Sequence, residues 1–459
     1  MTLGPSPHDT ITALATPLGE GGIAVIRLSG RQALALAARV FQPAGRRSQS
    51  PQEAPSHTVH YGHIVRDGVR LDEVLVTVLR APRTYTREDT VEISCHGGVV
   101  VTRQVLEAVL ATGARLAEPG EFTQRAFLNG RLDLAQAEAV ADLIHARTGL
   151  AAAAALEQLG GRLSQRIRQI RDDLVNLLAH VEAHLDFPDE DIAPDTQAQL
   201  LRRLDTAAQA MGLLRRTARD GRILRRGVRA AIIGRPNAGK SSLLNLLLGH
   251  ERAIVSPIPG TTRDTVEETA DIRGIPVVFV DTAGLRPTSD AVEAEGVRRS
   301  RAAADTAELV LHVIDGSEPL HPEDQLLLEQ LADRPVIRIR NKADLPDCLE
   351  LPDSLTVVPL SSSTGAGLES LKDAIERQVW TGHVSAENLP VAVNARQADA
   401  LARGGEGVQS AALALRGQAS LELVALDVRI AIGALGEIIG QTSAEDLLDA
   451  IFRQFCLGK

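Results

Sequence analysis

The stretch GRPNAGKS, Gly234 to Ser241, has the spacing G-x-x-x-x-G-K-[ST] of a loop that cradles phosphate groups. Its glycines let the backbone approach phosphate oxygens. Amide N–H groups and the N-terminus of the helix that follows favour the anion. Lys240 is placed to reach the β- and γ-phosphates, and Ser241 to ligate Mg²⁺. Downstream, NKAD (Asn341, Lys342, Ala343 and Asp344) carries a carboxylate suited to guanine, accepting from its ring N–H and its amino group. Adenine has no such paired donors, so Asp344 argues for GTP over ATP. SSST, from Ser361 to Thr364, lies where a further guanine-contacting loop belongs. Its second residue is Ser362 in place of the usual Ala, but a backbone N–H there can do the same work. In DTAG, Asp281 is expected to support Mg²⁺ from behind its direct ligands, and the Gly284 N–H to face the γ-phosphate. In GTTRD, residues 260–264, Thr262 is the threonine that closes on Mg²⁺. Four motifs in this order imply a guanine-nucleotide hydrolase domain. The nucleotide contacts expected around them extend to Asn237, Ala238, Gly239, Ser242, Thr282, Ala283 and Ser363.

One position breaks the pattern. Many such domains follow DTAG with a glutamine that holds the attacking water, and here the residue is Leu285. Phosphoryl transfer needs both charge neutralisation and an oriented water. Arg263 and Arg286 lie close enough in sequence to supply an arginine finger. Asn237 offers another route: its amide carbonyl, with backbone carbonyls before GTTRD and phosphate oxygens, would suit a monovalent cation such as K⁺. The alternative is that Asn237 stabilises the loop only, and the motif leaves the two open. For the water, Glu293 and Glu295 follow in LRPTSDAVEAEGVRRS. Read singly, either is an ordinary acidic residue at a helix start.

These motifs need a strand–loop–helix frame. VRAAIIG, PVVFVD, ELVLHVID, PVIRIRNKAD and LTVVPLSSS are short, continuously apolar strands separated by helical stretches. They predict a doubly wound, mainly parallel sheet covered on both faces. Upstream, GGIAVIRLSG, VLVTVLRAP and TVEISCHGG predict strands, with helices over 31–40 and 99–112, hence a small α/β domain. Leu156, Leu159, Leu163, Ile167, Ile170, Leu174, Leu177, Val181 and Leu185 recur every three or four residues and predict one apolar stripe on a long helix. FPDEDIAP breaks it, and a further helix follows over about 195–217. After 394 helices return. SAEDLLDAIFRQF has an N-cap at Ser443 with Asp446 three residues on, and Leu447, Leu448, Ile451 and Phe455 share a face. The division predicted is 1–120 α/β, 121–217 helical, 218–382 an inserted Ras-like nucleotide domain, and 383–459 the rest of the helical domain.

Composition sets bounds. The 459 residues include 44% hydrophobic ones but only one Trp, two Tyr and seven Phe, so the core is aliphatic. The formal net charge of −10 does not advertise nucleic-acid binding at whole-chain level, and any RNA contact needs a local patch such as RRGVR or a partner. Cys95, Cys348 and Cys456 form neither a disulfide framework nor a zinc pattern. No run approaches the ~18 apolar residues of a membrane span. A soluble cytoplasmic protein is expected.

ATPLGEGGIAVIRLSG, EISCHGG, PGEFTQRAFLNGRLDLAQAEAVADLI, GRPNAGKSSLLN, PGTTRDTVEE, DTAGLR and the terminal FCLGK together resemble the MnmE (TrmE) family of tRNA-modification GTPases, over essentially the whole chain. The resemblance implies a homodimer joined through N-terminal α/β domains, with a GTPase domain inserted in a helical one. It implies activation by K⁺ held by Asn237 with Ser256, Ile258 and Thr261, the serine and Thr261 also lying near GTP. Pro257 and Pro259 depart from commoner residues in that loop. It implies that Glu293 positions the attacking water through an intervening water. It further implies a reduced folate, 5-formyl- or 5,10-methylene-tetrahydrofolate, held near Arg27, Glu92, Arg131 and Lys459, with Arg131 where relatives often carry Lys. Cys456 is implied to matter for modification, as nucleophile, proton donor or structural residue. The expected activity is wobble-uridine modification at C5 of U34 in certain tRNAs, with an FAD-dependent partner, MnmG (GidA).

Two other readings compete. A ribosome-assembly GTPase switch would more naturally carry a basic RNA-binding appendage after the nucleotide domain, and no GXXG loop in a basic setting is found there. A metabolic folate enzyme with a fused regulator would leave the full guanine motif set unexplained.

Overall fold

The computed structural model describes residues 9–186, 197–251, 268–280, 305–332, 334–352, 355–380, 391–442, 445–453, 455 and 458–459. The proposed residues Ser256, Ile258, Thr261, Thr262, Arg263, Asp281, Thr282, Ala283, Gly284, Leu285, Arg286, Glu293, Glu295, Ser443 and Cys456 lie outside that set. The chain gathers into two compact units, one from residues 1–141 with 436–459 and the other from 142–435.

The first unit is built on strands β1 (Ile11–Leu14), β2 (Gly21–Ser29), β3 (Phe41–Pro43), β4 (Thr58–Arg66), β5 (Val69–Leu79), β6 (Thr90–Gly97) and β7 (Arg115–Leu116), with helices α1 (Ala33–Val40) and α2 (Val99–Ala111). Among the described residues they form one sheet, ordered β3-β4-β5-β6-β2-β1-β7. Every pairing is antiparallel except β1 with β7. Side chains alternate across such a sheet. Ile26, Leu28, Ile64, Val76, Val78, Val91 and Ile93 point inward and pack in one core with Leu36, Ala37, Val105 and Val109 of the two helices. The opposite face keeps Ile23, Val59, Tyr61 and Leu75 exposed. Arg27 and Glu92, paired across β2 and β6, lie on that outward face.

Helix α3 (Glu121–Leu128) is seated by charge. Arg125 donates to the Asp9 carbonyl and carboxylate and to Glu121 and Glu88, while Arg115 bonds Asp9 and Glu121. Burial would raise the Asp9 pKa, but these two guanidinium groups outweigh it and hold the carboxyl below its ordinary value. Seating α3 brings Phe122 against the core beside Ile11.

The second unit carries helices α4 (Leu134–His145, which begins in the first unit), α5 (Gly149–Leu159), α6 (Arg162–Asp186), α7 (Gln197–Arg216) and α8 (Ala218–Arg226). The expected long helix is therefore two helices. Gly160 and Gly161 separate them, and Gly161 takes a left-handed φ of 88° that a side chain would resist. Leu156, put on the stripe by spacing alone, is 60% exposed. Beyond the break the stripe holds: Leu163, Ile167, Ile170, Leu174, Leu177 and Val181 are buried. Leu185 is half-buried.

The chain then enters a six-stranded sheet, ordered β13-β12-β11-β8-β10-β9 among the described residues. Its strands are β8 (Val228–Ile233), β9 (Glu268–Ile272), β10 (Ile275–Phe279), β11 (Leu309–Asp315), β12 (Val336–Asn341) and β13 (Val357–Pro359). All pairs are parallel save β9 with β10. Helices α9 (Lys240–Glu251), α10 (Pro322–Gln330) and α11 (Leu368–Val379) follow its strands. Leu311, Val313 and Ile339 pack with Leu243, Leu247, Leu371 and Ile375 on one face. Val310 and Ile233 pack with Leu331 on the other.

Leaving the sheet, the chain rejoins the helices. Thr217 Oγ1 bonds both the Val391 carbonyl and the Val393 N–H, and Gln158 donates to the Ala392 carbonyl. Helix α12 (Ala395–Arg416) starts with a reciprocal cap between Asn394 and Gln397. Helices α13 (Leu421–Ile439) and α14 (Glu445–Phe452) complete the chain. Ile451, Phe452 and Phe455 are buried, and Leu447 and Leu448 half-buried.

Candidate functional site

The phosphate loop runs from the end of β8 into α9. Asn237 sits at φ 61°, in the left-handed region that Asn tolerates better than most residues. Lys240 Nζ donates to the carbonyls of Gly234 at 2.8 Å and Arg235 at 2.6 Å, curling its stem over the loop. Burial lowers its pKa and the charge of Asp324 acts in the opposite direction. Ser241 and Ser242 open α9 directly after it.

A second loop closes on the first. Asn341, at the end of β12, is 1% exposed and donates through Nδ2 to the Ala238 carbonyl at 2.8 Å. Its Oδ1 accepts from the Ser362 N–H at 3.0 Å and the Ser362 hydroxyl at 2.8 Å. A Cβ at Gly239 would stand 2.0 Å from the Asn341 amide nitrogen, so only glycine admits this clamp. Asn341 thus ties the NKAD turn, the phosphate loop and SSST together. Lys342 has φ 61° and its ammonium bonds Asp315 at the end of β11. That contact and those from Ser317 hold Asp315 below the ordinary carboxylate value against the opposite pull of its burial. The Asp344 carboxyl is exposed. The Ser361 hydroxyl, followed by its own backbone and Ser363, lowers its pKa. Ser361 and Ser363 bond each other at 2.9 Å. An exposed carboxylate thus stands beside a hydrogen-bonded pair of loops, a group chemically suited to a guanine edge.

The first unit brings together the other four proposed residues. Arg27 bonds Glu92 through Nε at 2.9 Å and Nη2 at 2.8 Å, and its Nη1 reaches the Gly458 carbonyl at 3.3 Å. Arg131 lies 4.8 Å from the Tyr85 ring centroid, with Arg27 and Lys459 each at 6.0 Å. Arg27 is also 5.7 Å from the Phe122 ring. Lys459 is held by its backbone carbonyl accepting from the Phe122 N–H at 3.2 Å. Burial and then Arg27 lower its pKa, and Glu92 opposes them. Three cations thus lie within 6.0 Å of one ring centroid, and Glu92 pairs with Arg27 among them. Such a site favours a planar ligand bearing anionic groups. Tyr85 and Phe122 were not anticipated. The usable signal was scarcity: the chain has two tyrosines, and one lies in RTYTRED between basic residues.

Residues 134–456 match the model of the MnmE helical domain, and residues 10–131 that of the GTP-binding protein TrmE N-terminus. The tRNA modification GTPase MnmE of Geobacter sulfurreducens is 47% identical over 98% of this chain and 99% of its own length. That of Chloroflexus aurantiacus is 48% identical over 98% of this chain and 100% of its own. Among solved structures, the G domain of the T. maritima FeoB iron transporter aligns with 33% of this chain and 98% of its own at 28% identity and a TM-score of 0.23. With identity near one half along almost the full length, and with both domain models matched, the chain belongs to the MnmE family of tRNA modification GTPases.

Proposed function

We propose that this GTP hydrolase of tRNA modification is activated by K⁺ and works with a flavoprotein partner, MnmG (GidA), at C5 of the wobble uridine U34. In this reading it adds an aminomethyl or carboxymethylaminomethyl group whose bridging carbon comes from a reduced folate. The observation that carries the reading is the cation cage of Arg27, Arg131 and Lys459 around Tyr85. A folate brings a flat pterin and a carboxylate-bearing tail, and the cage offers a ring, one carboxylate and excess positive charge. Arg27 and Glu92 would orient the ligand, and Lys459 and Arg131 would neutralise its anionic end. Bound there as 5-formyl- or 5,10-methylene-tetrahydrofolate, the ligand would supply one-carbon chemistry, and FAD on the partner the redox step.

At the nucleotide, Lys240 and the loop amides bind phosphates, Ser241 and Thr262 hold Mg²⁺, and Asp344 reads guanine. The Asn237 carbonyl, with Ser256, Ile258 and Thr261, would hold K⁺ where its charge replaces an arginine finger. Glu293 would position the attacking water in place of the glutamine that Leu285 lacks.

The exposed apolar residues Ile23, Val59, Tyr61 and Leu75 share a sheet face with Arg27 and Glu92, which supports homodimerisation through the N-terminal domains beside the folate cage. We assign residues 1–120 to the folate-binding and dimerisation domain, 121–217 and 383–459 to the helical domain, and 218–382 to the inserted G domain. No described helix is long and apolar enough to cross a membrane. The cytoplasm, where tRNA is modified, is the proposed compartment.

Nucleoside mass spectrometry of tRNA from cells with and without the gene tests the reading. Loss of C5-modified U34, restored by the gene, is expected. An unchanged wobble-uridine profile sinks it.

A further inference from the structure

Behind the phosphate loop lies a buried charged chain that none of the sequence motifs accounts for. Asp324 stands in the first turn of α10 and is 1% exposed. Its Oδ2 accepts from Arg235 Nε at 2.7 Å. Its Oδ1 has no hydrogen-bond partner among the described residues and lies 3.8 Å from Nε2 of His312. His312 occupies the middle of β11, is 0% exposed, and has neither ring nitrogen bonded among those residues. On the outer side Arg235 reaches Glu318 through Nη2 at 2.9 Å. Arg235 is the second residue of GRPNAGKS, and its backbone carbonyl is one of the two that hold Lys240.

An acid at the start of a helix is favoured by the helix dipole and needs no other role. Two features exceed that role. A buried carboxylate is costly unless paired, and a surface residue in the same turn would serve the dipole equally well. The Asp324 partner is also the loop residue whose carbonyl sets where the phosphate-binding ammonium rests. Burial would lower the Arg235 pKa, and the bonds to Glu318 and Asp324 outweigh it, so the guanidinium stays charged and engaged.

We propose that Asp324, backed by His312, is a positioning residue for GTP binding: it anchors Arg235 and so holds the first turn of the phosphate loop and Lys240 ready for the triphosphate. The inference rests on the GTPase motifs alone and is independent of K⁺, folate and the partner.

Full-length protein tests it with Asp324→Asn, Arg235→Gln and the double variant, by titration with GDP and a non-hydrolysable GTP analogue, GTP steady-state kinetics and thermal melting. Each single change is expected to weaken both nucleotides and raise KM about tenfold, the scale of one coupled contact, while kcat changes less. The double variant should be no worse than the weaker single one. Asp324→Glu, which keeps the charge, should recover part of the affinity. Losses that multiply in the double variant overturn the proposal, as does a lowered melting temperature with unchanged affinity. Should Asp324→Asn fail to fold, Arg235→Gln carries the test, since its side chain is 15% exposed and nearer the surface. Weakened binding at a native melting temperature then supports the proposal and unchanged binding overturns it.

Discussion

Asn341 donates its side-chain amide to the Ala238 carbonyl, so the NKAD turn is hydrogen-bonded to the GRPNAGKS loop. The bond is buried, and breaking it strands the Ala238 carbonyl. Asn341→Asp replaces the donor with a second acceptor. Leaving a buried group unpaired costs about 1–3 kcal/mol, so affinity for GTP and GDP alike should fall roughly 5- to 150-fold. Guanine preference over adenine should persist, since Asp344 is untouched. Competition binding with GTP and ATP checks this, and a loss of base selectivity with affinity kept would assign Asn341 to direct base contact instead.

Asp344 is the proposed base reader, and the Ser361 hydroxyl is the leading cause of its lowered pKa. Asp344→Asn turns one acceptor into a donor, which suits the C2 carbonyl of xanthine in place of the guanine amino group. GTP should weaken by at least ~10²-fold while XTP gains. For pH, the depressed folded pKa means that the carboxylate, and hence guanine binding, persists as pH falls until that lowered value is reached. Ser361→Ala removes the leading cause of the depression, so loss of GDP binding on acidification should begin at a higher pH than in the unmodified protein. Identical acid profiles for the two proteins would contradict the role given to Ser361.

How far these sites were legible follows from how each is assembled. The motifs expected to meet phosphate and guanine are contiguous backbone with a few adjacent side chains, so GRPNAGKS and NKAD could be recognised directly in the sequence. The cage around Tyr85 draws on Arg27, Glu92, Phe122, Arg131 and Lys459, which the fold alone brings together. Its charged members were visible through resemblance and its aromatic members were not. Asp324 was hidden for another reason: HPED reads as an ordinary acidic helix start, and only the fold shows that its carboxylate is buried and bound to Arg235. The stripe from Leu156 to Leu185 misled because three- and four-residue spacing continues across Gly160 and Gly161, although the glycine pair itself marked the break.

The K⁺ proposal has a clean variant because of backbone geometry. Asn237 is left-handed, so Asn237→Ala would mix strain with loss of the carbonyl. Asn237→Gly keeps the backbone and removes only the amide. The unmodified protein should hydrolyse GTP about 10-fold or more faster in K⁺ than in Na⁺, the scale of a lost charge-stabilising group. In Asn237→Gly the preference should collapse while GTP affinity stays within a few-fold. Should the preference survive, Asn237 returns to a loop-stabilising role.

Lys459 gives the cage its pH signature. Its folded pKa is depressed, chiefly by burial and next by Arg27, so it loses its proton at lower pH than a free lysine. Charge that attracts an anionic ligand is then full below the depressed value and lost as pH rises through it. Binding of 5-formyl-tetrahydrofolate should therefore weaken on the alkaline side, and earlier than an ordinary lysine would allow. Lys459→Met should reduce affinity about tenfold at neutral pH, the cost of one charged hydrogen bond, and remove that alkaline limb. Tyr85→Ala should weaken binding at every pH without moving the limb, because the ring contributes contact area and carries no charge in that range: its own pKa is raised, first by burial. GTP turnover should be retained in both variants. An alkaline limb that persists in Lys459→Met would transfer the titration to another group, and equal folate binding by all three proteins would remove the ligand from this cage.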